Sequence, residues 1–566
     1  MASPSAGIPR ADLWDFLFER PDKPFADNQV IFKSPTTPEA RTYADIRSTA
    51  LNFGSNLKAK WGWQKGDVLI VFSPNSIDIP ALIWGCHWAE GIVSPANPAY
   101  SVDEFKYQVV DSGAKSMAVH SSCLSIAMAA AKLTGFPLAR IVVFGDDTSQ
   151  LGVNHVKSMT SESTPGMTRT SLDPACDAAF LVYSSGTTGR SKGAYVTHMN
   201  VVASLTLQSE IEGPYMDWRT NRLLALLPMY HIYVHVPAYM GIQTTVMQKF
   251  SVSAFSGHIR NDAISHVYVA PPVVLYLAKD PGFRREDLSS LKMITSGGAP
   301  LAPDLIRAVY ERLNIPVRQA FGLTETTAVC HIQVNFPTSP STRTSTYLAQ
   351  RWNQWDRAAG SNGPPLPGIE VQFLDETTNT PIAEGEGEGE LCMRGPTIFR
   401  GYHNNQSATE KALTADGWFR TGDIGYQDSK GNLYITDRLK DLIKFKGFQV
   451  APAEIEGVLH EHQLVDDVSV VGVFNHDIAS EVPLAYVVPK KTLVPSEAVA
   501  RDLVAHVAGR LAASKRLRGG VIWIDQIPKS GAGKILKRVL KDRAETVDKG
   551  KAVAAMVYDQ FVPAKL

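Results

Sequence analysis

The stretch "LVYSSGTTGRSKGAYVTH", Leu181 to His198, decides the reading of this chain. An apolar run, Ala178 to Tyr183, delivers the backbone into a loop of hydroxyls and glycines that ends on Lys192. Ser184, Ser185, Thr187 and Thr188 offer hydroxyls, while Gly186, Gly189 and Gly193 let backbone N–H groups approach an anion. Lys192 adds a mobile positive charge. The set suits the β- and γ-phosphates of a nucleotide. A flexible surface turn needs neither a buried strand before it nor this density of donors. The loop is not a kinase-type P-loop, G-x-x-x-x-G-K-[ST]. Counted from Gly186, the second glycine is replaced by Ser191, and Gly193 follows Lys192. "SGAGK", Ser530 to Lys534, fails the same pattern because Pro528 stands in place of the first glycine.

Further stretches add to this chemistry. "SGGAP" (Ser296 to Pro300) and "QAFGLTET" (Gln319 to Thr326) each follow an apolar segment. Their glycines make room for a flat ring on which Phe321 can stack. Glu325 offers a hard oxygen for Mg²⁺ and Thr324 a hydroxyl for a phosphate oxygen. "GWFRTGDIG" places Asp423 in a glycine turn, where a carboxylate can accept hydrogen bonds from a ribose diol. A lone Asp in a turn is ordinarily a turn residue, so the weight lies in the combination.

The chain as a whole fits a globular enzyme. Its 566 residues are enough for two to four domains. Lys+Arg and Asp+Glu both number 56, so no global basic field draws it to nucleic acid or anionic lipid. The cysteines, Cys86, Cys123, Cys176, Cys330 and Cys392, lie far apart and form no C-x-x-C pair. They read as reduced, buried small hydrophobes in a reducing compartment rather than a zinc cage. "ADLWDFLFER" carries Asp12, Asp15 and Glu19 in its apolar pattern, so it reads as a short amphipathic helix and not a secretory signal. Leu223 to Gln248 lacks Asp, Glu, Lys and Arg, yet its Pro228, Pro237, His231, His235 and Gln243 suit a buried wall better than a membrane span.

Up to about residue 430 strand-like segments (Val68 to Phe72, Ile141 to Phe144, Phe180 to Tyr183, His266 to Val269) alternate with helical ones (Val102 to Val110, Asn200 to Glu210). Alternation of this kind predicts an α/β fold with largely parallel sheets. Beyond Asp437-Arg438-Leu439-Lys440 come a helix in "APAEIEGVLHEH", strands in "VSVVGVF" and "PLAYVVP", a helix at Ala500 to Leu511 and a strand in "GGVIWID". The expected organisation is a large N-terminal domain of layered α/β subdomains (1–437), a small mobile α+β C-terminal domain (438–550), and a tail (551–566). "EGEGEGE", Glu384 to Glu390, reads as a charged turn.

Taken in order, "YSSGTTGRSKGAYVTH", "LPMYHIY", "SGGAP", "QAFGLTET", "GWFRTGDIGY", "YITDRLKDLIKFKGFQVAPAEIE" and "PKSGAGKILKR" resemble the acyl-adenylate-forming superfamily. That superfamily comprises acyl-CoA synthetases, adenylation domains and beetle luciferases, and the resemblance is strongest to its 4-coumarate–CoA ligase-like branch. It covers roughly residues 10 to 550. Arg190-Ser191 departs from a common Leu-Pro, Ala320-Phe321 from Gly-Tyr, and the segment between Thr326 and Gly363 is longer than usual for the branch.

The resemblance implies an ATP-dependent acid–CoA ligase in which the substrate's own carboxylate attacks the α-phosphorus. Catalysis is then alignment plus charge neutralisation. Ser184, Ser185, Gly186, Thr187, Thr188, Gly189 and Lys192 would hold the pyrophosphate end of ATP. Gly298, Ala299, Ala320, Phe321 and Gly322 would surround adenine, and Asp423 and Arg438 would hold the ribose. Thr324 would meet the α-phosphate, and Glu325 with Thr188 the Mg²⁺. Lys534 would bridge the acyl carboxylate and the α-phosphate, and His231 would stand between the acyl pocket and the thiol entry. The acyl pocket would draw on Tyr230, His231, Tyr233, Met240, Gly298, Ala320, Ala328 and Val329. Lys440 would be the hinge, and Lys444, Lys446 and Gly447 would serve the CoA side. The small residues leave room for an aryl or medium-chain acid; phenylacetate-, cinnamate- and medium-chain-like acids all fit, as does a secondary-metabolite intermediate. Ala564-Lys565-Leu566 resembles the S-K-L address, which implies a peroxisomal import receptor as partner and the peroxisomal matrix as location, with the cytoplasm otherwise. Three other readings stay open: an adenylating enzyme loading a separate carrier-protein thiol, a luciferase-like oxygenase, and a non-catalytic acyl-binding protein.

Overall fold

The structure is a computed structural model that describes residues 7–145, 153–184, 191–231, 235–298, 301–333, 359–375, 378–383, 387–438, 441–445, 448–475, 480–490, 494–511, 513–529, 535–548 and 551–553. It divides into two compact units. The first comprises Met1–Val371, Cys392–Arg420 and Ser429–Leu433; the second comprises Gln372–Leu391, Thr421–Asp428 and Tyr434–Leu566.

Two large sheets organise the first unit. One has seven strands in the order Asn154–His155, Ile141–Phe144, Ser116–His120, Val68–Phe72, Ile92–Ala96, Ala178–Ser184, Lys192–Thr197. Its neighbours run parallel except for the last pair, which is an antiparallel hairpin. Val68–Phe72 is buried at all five positions, as expected of a parallel strand covered on both faces. Helices Val102–Asp111 and Leu124–Thr134 cover one face, with Phe105 stacked on Phe72 at 4.0 Å between ring centroids.

The other sheet has eight strands, ordered Ala328–Ile332, Val317–Leu323, Met293–Ser296, His266–Val269, Arg222–Ala225, Gln243–Val246, Val30–Lys33, Ala40–Thr42. It too is parallel inside, with an antiparallel pair at each end. Leu224, Val267, Val269, Ile294 and Val317 pack under the apolar faces of helices Val252–Asn261, Pro271–Lys279 and Pro303–Leu313. Five histidines, His87, His198, His235, His266 and His331, are buried in this unit, and burial lowers each to about 3.

Two sequence expectations change here. The helix Leu13–Phe18 forms behind an Asp12 cap that accepts from the amides of Trp14 and Asp15, but five of its six residues are buried, more than a one-sided amphipathic helix would bury. Arg169 pairs with both the buried Asp12 and the half-exposed Asp15, which lets the helix sink against the unit. Cys176 is exposed, whereas the other four thiols are buried. The uncharged stretch 223–248 is broken into two strands and the short helix His235–Tyr239. No helix among the described residues is long and apolar enough to cross a membrane.

The second unit is built on smaller sheets. The antiparallel pair Val465–Asn475 and Ser480–Pro489 is joined by Gly520–Trp523 in parallel. Alternation of period two sends Val468, Val470, Ala485 and Val487 toward helices Pro452–His460 and Glu497–Arg510. Val471, Leu484 and Tyr486 join a separate cluster with Leu540 of helix Lys537–Glu545. Most residues of a further four-stranded sheet, Glu370–Leu374, Gly389–Arg394, Phe419–Gln427, Leu433–Arg438, belong to this unit. The fold is the layered α/β architecture with a smaller α+β part that the alternation predicts.

Candidate active site

Each large sheet of the first unit carries one of the motif turns on an edge hairpin. In the seven-stranded sheet, Ser184 and Lys192 are register partners, so the loop between them closes at its base. Ser185, Gly186, Thr187, Thr188 and Gly189 lie outside the described residues, as does the Ser184 side chain. Lys192 is half-buried, with its Nζ 4.9 Å from the centroid of the Tyr402 ring. A Cβ on Gly193 would lie 3.1 Å from the Tyr183 ring, and its carbonyl accepts from the His403 amide at 2.8 Å. Ser191 hydrogen-bonds the Tyr100 phenol. The outer edge of Lys192–Thr197 is closed by 400–403, with the Tyr195 amide donating to Gly401 at 2.9 Å and the Arg400 amide to Tyr195 at 3.0 Å.

In the eight-stranded sheet, Val317–Leu323 turns through the single 3₁₀ turn Thr324–Thr326 into Ala328–Ile332. The register shifts between Phe321 and Gly322, and Thr327 and Ala328 both adopt positive φ, +55° and +69°. Non-glycine residues there cost of order 1 kcal/mol or more each and persist only where surroundings over-determine them. Here Ser204 donates to the Thr327 carbonyl at 2.9 Å, and the Thr327 hydroxyl to Thr397 at 2.7 Å. Gly322 is required by contact: a Cβ would sit 1.8 Å from the Ala328 carbonyl oxygen.

The turn presents Thr324 and Glu325. Glu325 is 9% exposed, its Oε1 accepts from the Tyr402 hydroxyl at 2.8 Å, and its carbonyl accepts from the Phe399 amide at 2.8 Å. Burial, then the Glu325 charge and the hydrogen bond to it, hold the Tyr402 phenol well above its usual range, so it stays a donor. No group of three or more His, Cys, Asp or Glu among the described residues forms a metal cage. One carboxylate whose partner Tyr402 also meets the Lys192 ammonium nevertheless fits Mg²⁺, which is commonly held by one or two carboxylates plus substrate phosphates and water.

"SGGAP" and "QAFG" come together as expected of one binding wall. Ser296 pairs with Gln319, and a Cβ on Gly297 would be 3.0 Å from the Ala320 carbonyl. Gly298 has φ +84° and nothing within 4 Å of a Cβ built there; Ala320 is 8% exposed, and Phe321 lies edge-on to His331 at 6.0 Å. Ala299 lies outside the described residues. Of the other acyl-pocket residues, Tyr230 and His231 have ring centroids 4.4 Å apart. Burial raises Tyr230 to about 12 and lowers His231 to about 4, so the imidazole is neutral at physiological pH. Met240 packs with Trp218 and Tyr268 on Met216, Leu223 and Ile242. Val329 and Ala328 are partly exposed, and Tyr233 lies outside the described residues.

In the second unit the structure brings Asp423 and Arg438 together, with Arg438 Nε 2.8 Å from Asp423 Oδ1. Asp423 is 2% exposed and sits behind Gly422 at φ +70°. A Cβ on Gly425 would lie 2.2 Å from the Tyr434 carbonyl, so the two strands approach at this glycine. Lys534, Lys440, Lys446 and Gly447 lie outside the described residues, as does the Lys444 side chain. The loop that bears Lys534 is closed at its base. Lys529 bridges Ile535, the Leu536 amide donates to Pro528 at 2.9 Å, and Lys529 pairs with Asp467 at 2.6 Å. Lys537, three residues beyond Lys534, pairs with Glu456 at 3.1 Å.

Tyr402 and Phe399 are the neighbours that sequence reasoning missed. "IFRGYHNN" carries no phosphate-loop or metal signature, and its place beside Glu325 is set by strand pairing across some two hundred residues; only its aromatics after a Gly-Pro turn hinted at a packed position.

Comparison with known proteins agrees with this geometry. Residues 17–403 match the AMP-binding enzyme family and residues 454–534 the AMP-binding enzyme C-terminal domain. "4-coumarate--CoA ligase-like 1" of Arabidopsis thaliana is 32% identical over 96% of this chain and 97% of that protein. "Phenylacetyl-CoA ligase epaB" of Aspergillus niger is 32% identical over 96% of this chain and 98% of its own length. Among solved structures, ATP-bound MatB from Rhodopseudomonas palustris superposes with a TM-score of 0.80 at 25% identity, covering 96% of this chain and all of that one. With residues 17–403 and 454–534 matched, and relatives 32% identical over nearly the whole chain, the chain belongs to the AMP-binding enzyme family, the acyl-adenylate-forming superfamily.

Proposed function

We propose that this chain activates a monocarboxylic acid with an aryl or medium-chain body. The enzyme is an ATP-dependent, AMP-forming acid–CoA ligase. In the first half-reaction an oxygen of the substrate carboxylate bonds to the α-phosphorus of ATP and pyrophosphate leaves. In the second the CoA thiol, losing its proton, attacks the acyl carbonyl and AMP leaves.

The observation that carries the site assignment is the convergence of Lys192 and Glu325, from two different sheets, on the one ring of Tyr402. Lys192 and the loop Ser184 to Gly189 take the pyrophosphate end, and Thr324 takes the α-phosphate. Glu325, with Thr188, would hold Mg²⁺, which when bound supplies charge neutralisation on the phosphates. Asp423 and Arg438 take the ribose diol, and Gly298 to Phe321 the adenine. Lys534 stabilises the charge that develops between carboxylate and α-phosphate. His231, neutral through burial, separates acid from thiol without adding charge. Residues 438–550 act as the mobile lid, with Lys440 as pivot, and Lys444, Lys446 and Gly447 serve CoA.

The open space at Gly298 supports a bulky acid, and none of the described acyl-pocket residues is a fixed cation that would pair a second carboxylate. Ala564-Lys565-Leu566 supports a peroxisomal address, tested by a fluorescent fusion with and without those residues; an unchanged distribution removes it.

A panel of carboxylic acids assayed for pyrophosphate release, with and without CoA, tests the function. Lys534→Ala should slow acyl-AMP formation by roughly 10²-fold yet still convert supplied acyl-AMP and CoA to thioester. Acyl-AMP formation at the native rate in that variant overturns the role of Lys534.

A further inference from the structure

We propose that Tyr402 is a positioning residue that holds the Glu325 carboxylate through its hydroxyl while its ring carries the Lys192 ammonium, so that the two charges stay apart and open to a magnesium nucleotide. The inference rests on the reading of Lys192 and Glu325 as nucleotide-side groups.

A buried carboxylate and a half-buried ammonium on neighbouring turns face an obvious competing arrangement, a direct ion pair. Such a pair would occupy the oxygens and the protons that a metal and a phosphate require. Tyr402 satisfies each charge by a different part of one rigid side chain. Its hydroxyl lies 2.8 Å from Glu325 Oε1, and its ring centroid lies 4.9 Å from Lys192 Nζ. The first contact is a charge-assisted hydrogen bond and the second a cation–π contact. Both leave capacity: Glu325 keeps Oε2, and an ammonium on a ring face still has donors to give.

Tyr402 is itself fixed to both partners. It forms a bridge with Ala194, two residues beyond Lys192 on the same strand. Its amide donates to Thr409 Oγ1 at 2.9 Å, and its ring meets Phe399 edge-on at 4.9 Å. Phe399 in turn donates its amide to the Glu325 carbonyl at 2.8 Å. Residues 399–402 therefore grip the backbone and the side chain of Glu325 together, and tie that turn to the base of the phosphate loop.

The test uses full-length protein and ATP binding by calorimetry across a Mg²⁺ titration, beginning in EDTA, with thermal unfolding as the check on folding. Tyr402→Phe keeps the ring and loses the hydroxyl. It should bind metal-free ATP within about 2-fold of native but need roughly 5-fold or more Mg²⁺ for half-maximal binding, at an unchanged unfolding midpoint. Tyr402→Leu also loses the ring and should weaken metal-free ATP binding by roughly 5-fold or more. A Tyr402→Phe protein with the native Mg²⁺ requirement overturns the proposal, and so does one that loses metal-free and metal-bound ATP equally with a lowered midpoint, the mark of a merely structural role. Lys192→Met and Glu325→Gln provide the separate check. Native MgATP affinity in both removes the nucleotide reading itself, whatever Tyr402→Phe shows.

Discussion

Mild acidification should destabilise the first unit, and the five buried histidines set the scale. His87, His198, His235, His266 and His331 are each lowered to about 3 by burial, from an ordinary 6.5. A base whose folded value is depressed binds its proton in the unfolded chain first. Stability from these groups is therefore fully present above pH 6.5 and is lost as pH falls from 6.5 toward 3. Between pH 7 and 5.5 each costs about 1.2 kcal/mol, a figure that barely changes for any folded value below about 4.5. His231, lowered by burial to about 4, behaves alike, and the six sites together give about 7 kcal/mol, comparable with the whole stability of many domains. For a unit of about 400 residues that corresponds to a fall of roughly 9 °C in the unfolding midpoint. Tryptophan fluorescence reports it, since Trp84 donates to His235 at 3.1 Å inside the unit. Thermal scans at half-unit steps from pH 7.5 to 5.0 should show the decline starting near 6.5, and His331→Asn should flatten the slope by about one sixth. A midpoint constant to within about 1 °C over pH 7 to 5.5 would refute the reasoning, because it requires that the folded state take up the same protons as the unfolded one.

Two substitutions test the site walls. Gly322→Ala drives a Cβ to within 1.8 Å of the Ala328 carbonyl, so the turn bearing Thr324 and Glu325 must open. A loss of roughly 2–4 kcal/mol in denaturant stability with weakened nucleotide binding is expected, and a variant with native stability contradicts the close approach. Ala320→Val should lower kcat/KM for the largest acids first, with ATP saturating, because an apolar pocket gains about 0.8 kcal/mol per buried CH₂ it can still accept. Equal loss across a size series removes Ala320 from the acyl pocket.

Much of the architecture was legible because burial on both faces leaves a local mark. Val68–Phe72 is an uninterrupted apolar run and His266–Val269 an apolar run opened by a histidine, and the ends of both match the observed strands. The pairing of Asp423 with Arg438 joined two motifs separated by only a few turns of chain. What stayed hidden depended on contact across long separations. The close packing of Gly193 against Tyr183, its register partner on the opposite strand, is a contact of the same kind over a shorter span. Beyond an aromatic after a Gly-Pro turn, Tyr402 carries no mark of its bridge to Ala194 or its hydrogen bond to Glu325, neither of which leaves a periodicity. The burial of Leu13–Phe18 on nearly every side was masked by acids that Arg169, far along the chain, neutralises.

The closure of strand Lys192–Thr197 by residues 400–403 bears on how the protein is made. In a chain still leaving the ribosome, the seven strands of that sheet are complete once Thr197 has emerged, but its outer edge has no partner. The amide of Tyr195 and the carbonyls of Gly193 and Tyr195 wait for Gly401, His403 and Arg400. At 5–20 residues per second, the roughly two hundred intervening residues take about 10–40 s to synthesise. For that interval a bare strand edge next to a glycine-rich loop is open to pairing with another chain. During that window the protein's exposure to wrong pairing is set by an edge that the finished fold no longer shows.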